Sequence, residues 1–187
     1  TDIDRSCDVR TLDNIRPDSY WMNTIMHELG HGVYSYYNDR ALPFAIRDAA
    51  HTFTTEAVAN FFGRYATDPA WMQLMGLIDA KEAEKISKDA FNAFRLQQLV
   101  FSRWAQVMYR FEKAMYENPD QDLNQLWWDM VEKYQMMKEP AGRDMPDWAT
   151  KIHVALYPCY YHNYLLGELL ASQFSAYITG SVVKGNT

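Results

Sequence analysis

The chain has 187 residues, 48% of them hydrophobic and 15% aromatic, enough apolar material for one well-buried core and too much for a disordered polymer. Its net charge of -6, with no cluster of Lys and Arg, excludes the concentrated positive field that nucleic-acid recognition needs. No apolar run approaches the roughly 20 residues that span a bilayer, and Cys7 and Cys159 are too few for a disulfide framework and too isolated for a thiolate zinc site.

The first dozen residues carry the only two-residue alternation, so one short strand is allowed there. That stretch has neither a charged n-region nor an apolar h-region, and it lacks an initiator Met, so the sequence is expected to be a piece of a longer protein. Pro17 and Asp18 then mark a helix start. Trp21, Ile25, Leu29 and Val33 repeat every four residues, with Met22 and Met26 beside them, which predicts a helix with a wide apolar stripe. Within it stands HELGH. On a helix, His27 and His31 project from one face, about one turn apart, as two ligands of a tetrahedral Zn²⁺ require. Glu28 sits beside them, where a carboxylate can take a proton from zinc-bound water, whose pKa the metal lowers to roughly 7. The pattern predicts peptide-bond hydrolysis with one Zn²⁺ as cofactor.

Asn38, Asp39 and Pro43 break the chain before a second helix, expected over about Thr54 to Tyr65. Asp68 and Pro69 open a short third helix. A long amphipathic helix follows from about Asp79 to Tyr116, stopped at NPDQD by Pro119. WWDMVEKYQ forms another helix, Pro140, Gly142 and Pro146 form a loop, and a last helix runs from near Tyr160 to about Thr179. With no repeat and no flexible linker, the reading is an all-α fold in which residues 1–187 are a single catalytic-domain piece.

Two histidines do not complete a catalytic zinc site, so a third protein ligand is required. A metzincin would place Gly and His three and six positions after the second His, where this chain has Tyr34 and Tyr37. The other common solution is a Glu on a following helix, and Glu56 in TFTTEAVANFFG, 25 residues after His31, is the expected ligand. Asn60, one turn later, is placed to orient His27 or Glu56 by a hydrogen bond. His51 and Asp48 compete from the preceding loop, where each also reads as an ordinary polar loop residue.

The ordered combination of HELGH, LPFAIRDAAHTFTTEA, WWDMVEKYQ, KIH and YYHNY resembles the angiotensin-converting-enzyme-like peptidases, family M2 of the glutamate zincins. The resemblance implies a mainly helical zinc peptidase that releases dipeptides from peptides with a free C-terminus, often outside the cytoplasm. It implies that Lys151 and Tyr161 hold the substrate's terminal carboxylate, that His153 bonds the carbonyl just after the scissile bond, and that Tyr164 stabilises the oxyanion. Asn163 stands where animal members carry a chloride-binding arginine, so no chloride activation is implied through that position. Without the resemblance, Tyr157, Tyr160, Tyr161, Tyr164, Trp127 and Trp128 read as core aromatics, His153 and His162 as structural histidines and Lys151 as a surface charge. Two other functions fit the same residues: an oligopeptidase or carboxypeptidase of a related glutamate-zincin family, and a non-catalytic binding or scaffold module.

Overall fold

The structure, a computed structural model, describes residues 2–183. Its helices are α1 (Ser19–Tyr36), α2 (Thr52–Gly63), α3 (Pro69–Leu74), α4 (Ala80–Glu117), α5 (Leu123–Gln135), α6 (Ile152–Ala155) and α7 (His162–Tyr177). Short 3₁₀ turns at Phe44–Ile46, Arg64–Thr67 and Asp147–Thr150 and a π turn at Ile178–Val182 link or extend them. The fold is all-α. The strand allowed at the N-terminus reduces to one antiparallel bridge between Asp2 and Val9. Arg5 and Cys7 between them take φ of 56° and 79°, a left-handed backbone that ends any ladder after one rung. No helix among the described residues is long and apolar enough to cross a membrane.

Side-chain caps set most helix starts. Asp18 accepts from Trp21 N–H at 2.8 Å, Asp79 from Glu82 N–H at 2.8 Å and Asp122 from Gln125 N–H at 2.9 Å. Asp68 caps α3 with Pro69 at its first position, as the sequence predicts. The second helix begins two residues before Thr54, because the His51 ring nitrogen accepts from Phe53 N–H at 3.3 Å and does the work of a cap. The last helix begins at His162 and not at Tyr160, following Cys159 at φ 56°. The four-residue α6 is too short for any periodicity to register.

The packing divides the chain into two compact units, one formed by the residues up to Phe94 with those from Leu166 onward, the other by Arg95–Leu165. In the first, α1 meets α2 backbone to backbone at Gly30, where a Cβ would lie 2.6 Å from Ala59 Cα. Asn23 Nδ2 donates to Gly63 O at 2.8 Å, tying α1 to the end of α2. Ala57, Ala59 and Ala171 are fully buried in this unit. The apolar stripe of α1 is only partly a core face, since Leu29 is 49% exposed and Val33 38%. The face turned to α2 is the one carrying His27 and Gly30, because only a glycine allows so close an approach. In the second unit Val107, Met108 and Phe111 of α4 pack on Trp127 and Val131 of α5. Phe111 meets Trp127 edge to face, centroids 5.2 Å apart, and its full burial contributes roughly 1.5–3 kcal/mol.

Candidate metal centre

α1 and α2 bring together His27, His31 and Glu56, whose ligand atoms all lie within 4.8 Å of one another. His27 Nε2 is 3.6 Å and His31 Nε2 3.9 Å from Glu56 Oε2. A tetrahedral ion with bonds of about 2.1 Å holds its donors roughly 3.4 Å apart, close to the two histidine-to-carboxylate spacings, so these two imidazoles and one carboxylate, drawn in around a divalent ion, would supply three of its four positions. Glu56 is 2% exposed and the two histidine side chains 21% and 24%. The competing residues are engaged elsewhere: His51 caps α2 and Asp48 pairs with Arg5.

Burial favours the ligating form of the histidines. The His31 imidazole is pushed down to about 4, first by desolvation and then by His27. His27 is also lowered by desolvation, against the opposing pull of its hydrogen bond to Asn60 and of the Glu168 charge. Both rings are therefore neutral at pH 7 and need lose no proton to bind a metal. Asn60 meets His27, one of the two contacts expected of it. The Glu28 carboxyl is raised by its own burial and further by Asp13, which makes it a stronger base than an exposed glutamate.

Other residues that hold this arrangement carry no motif. Gly167 of α7 lies on α2 so closely that a Cβ there would be 2.8 Å from Glu56 Cβ. Next to it, Glu168 receives Arg64 Nη2 at 2.6 Å on its carboxylate and 2.8 Å on its carbonyl, and Ser172 Oγ lies 3.0 Å from the same nitrogen. The Arg64 clamp thus fastens α7 to the end of α2. The signal available in the sequence was two glycines, one inside HELGH and one in an otherwise apolar helix.

The remaining predicted residues lie in the second unit. His153 Nε2 and Tyr164 Oη are 2.9 Å apart, and the rings of Tyr160, Tyr161 and Tyr164 surround His153 at 5.9, 5.1 and 5.3 Å. Burial lowers the His153 imidazole, against Glu112, so it too is neutral at pH 7. Tyr161 Oη accepts from Trp104 Nε1–H at 2.7 Å. The Lys151 ammonium lies over the indoles of Trp104 and Trp127, at 5.5 and 5.8 Å, so it is no free surface charge.

A family model described as angiotensin-converting enzyme, peptidase family M2, matches residues 1–181. The chain belongs to that family. It is 25% identical over 160 residues to an angiotensin-converting enzyme of Rattus norvegicus, covering 82% of this chain and 12% of the relative. Against the angiotensin-converting enzyme of Theromyzon tessulatum it is 25% identical over 171 residues, 84% of this chain and 26% of the relative. An inactive angiotensin-converting enzyme-related protein of Caenorhabditis elegans is 26% identical over 125 residues, 63% of this chain and 13% of the relative. The chain therefore spans about a quarter or less of these relatives' lengths. No solved structure matches it.

Proposed function

We propose that residues 1–187 carry the catalytic portion of a zinc peptidase that releases dipeptides from peptides with a free C-terminus. The observation that carries this reading is the convergence of His27, His31 and Glu56 beside Glu28 in a chain of the M2 peptidase family. Held by those three residues, Zn²⁺ supplies a Lewis acid that polarises a carbonyl and lowers the pKa of water to about 7. Glu28, its basicity raised by burial, takes the proton of the attacking water and returns it to the leaving amine. Asn60 holds the His27 ring in one orientation through their hydrogen bond.

Family membership supports the remaining roles. Tyr164 donates its phenol to the oxyanion, a contribution of about 3 kcal/mol for such a donor. His153 bonds the carbonyl just beyond the scissile bond, while Lys151 and Tyr161 hold the terminal carboxylate. A second reading, a non-catalytic binding module, is favoured by one observation: a matched relative is described as inactive. Against it stands the retention here of the base and of all three candidate ligands.

The test is cleavage by the zinc-loaded protein of one peptide as its free acid and as its C-terminal amide. The expected result is release of a dipeptide from the acid, weak cleavage of the amide, and loss of that difference in Lys151→Ala. Equal cleavage of acid and amide replaces this reading with the oligopeptidase alternative. Stoichiometric zinc without cleavage of either peptide replaces it with the binding module.

A further inference from the structure

We propose that Trp104 is the positioning residue that turns Lys151 and Tyr161 into a two-donor clamp for a carboxylate, an inference that rests on the substrate-holding roles proposed for those two residues. Trp104 stands on α4, outside every motif the sequence displays, yet it touches both members of the clamp. Its indole face lies under the Lys151 ammonium at 5.5 Å, and its Nε1–H donates to Tyr161 Oη at 2.7 Å.

The hydrogen-bonding inventory gives this geometry a direction. An indole nitrogen is only a donor, so Tyr161 must be the acceptor in that bond. A phenol that accepts on its lone pair keeps its single proton for another partner, and that partner must be an acceptor. The Lys151 ammonium likewise carries donors and no acceptor. Trp104 therefore fixes the polarity of Tyr161 toward an anion, the polarity that Lys151, held over the same indole, has by its own chemistry. The same bond opposes the upward push of burial on the Tyr161 phenol, which keeps it the stronger donor.

The indole itself is held firmly. It packs against the core of its unit and meets Trp127 edge to face, centroids 5.8 Å apart at 88°. A cavity of about 420 Å³ opens on Lys151 and is walled by Trp104, Trp127 and Trp128. Asp147 also faces this cavity, but Arg143 pairs with it through Nε at 2.6 Å, so its charge is offset. Lys151 lines this cavity and Tyr161 lies on the other side of their shared indole contact, so the ligand that suits the arrangement is a peptide C-terminus with its carboxylate at the Lys151 edge and an apolar side chain among the indoles.

Equilibrium binding of the dipeptide alanyl-phenylalanine and of its C-terminal amide to the zinc-loaded full chain, by calorimetry, tests the inference without requiring turnover. The unaltered chain is expected to bind the acid about tenfold more tightly than the amide. Trp104→Phe keeps an aromatic face under Lys151 and removes only the N–H donor, so affinity for the acid should fall about fivefold or more while that for the amide stays level. If Trp104→Phe does not fold, judged by helical circular dichroism, benzothienylalanine at position 104 preserves the ring shape without the N–H and takes its place. A variant that keeps the full preference for the acid overturns the role of Trp104 while leaving the clamp standing. An unaltered chain that does not prefer the acid, or binds neither dipeptide, overturns the clamp reading itself and this inference with it.

Discussion

Gly30 offers a test of whether the metal centre depends on the approach of two helices or merely on the presence of its ligands. An alanine Cβ at position 30 would sit 2.6 Å from Ala59 Cα, 3.1 Å from Val58 O and 3.2 Å from Ala59 N, all backbone atoms that cannot swing aside. Ordinary carbon–carbon contact begins near 3.5 Å, so α1 must withdraw from α2 by about 1 Å. Overpacking of this kind costs about 1–3 kcal/mol, and alanine returns about 1 kcal/mol through helix propensity, leaving a net loss of about 0–2 kcal/mol that the fold should survive. The metal should not survive it so well. His27 and His31 ride on α1 and Glu56 on α2, and zinc–ligand distances tolerate only about 0.2 Å. Gly30→Ala should therefore weaken zinc binding by about 100-fold, measured by competition with a chromophoric chelator, while helical content is retained. Gly32→Ala is the control, because its Cβ would meet only Val9 Cγ1 at 3.6 Å, and it should bind zinc normally with equal or slightly higher stability. Parental zinc affinity in a folded Gly30→Ala would refute the argument that the α1–α2 spacing sets the site.

Glu56→Ala should lose stoichiometric zinc on elemental analysis, leaving a two-histidine site, whereas retention of one zinc per chain would move the third ligand elsewhere. Glu28→Gln should keep the zinc and lose hydrolysis by at least about 100-fold, and unchanged turnover would remove Glu28 from the chemistry. His153 is held below its ordinary pKa by burial, so below pH 6.5 the unfolded chain binds more protons there than the folded one. Its contribution to stability is therefore complete above pH 6.5 and is lost as pH falls below that value. His153→Gln should show a shallower loss of denaturant stability over this range than the parent, and an identical slope would count against the burial argument. Phe111→Ala should cost about 3–5 kcal/mol in thermal or chemical unfolding, since the ring is fully buried against Trp127; a loss below about 1 kcal/mol would mean that the α4–α5 core is not packed as described.

What the sequence displays and what it hides divide along a physical line. Asp18 and Asp68 with Pro69 announce helix starts because a cap is a local event, complete within three or four residues. HELGH is legible for the same reason: one turn of helix alone places His27 and His31 on a common face. Glu56 was reachable because the set of zinc ligands is small and the next helix offered one glutamate. The supporting residues obey no such local rule. Gly30 and Gly167 matter for what they lack, and nothing about a glycine in sequence says whether a backbone lies 2.6 Å from its missing Cβ. Arg64 and Glu168 are 104 positions apart and meet only after α7 has folded onto α2. Trp104 reads as one more apolar residue on a long amphipathic helix until its N–H is seen on Tyr161. The apolar stripe of α1 marks the helix correctly but not its closest contact: α1 packs on α2 through Gly30, while Trp21 and Ile25 of the stripe are half-buried and Leu29 and Val33 are exposed.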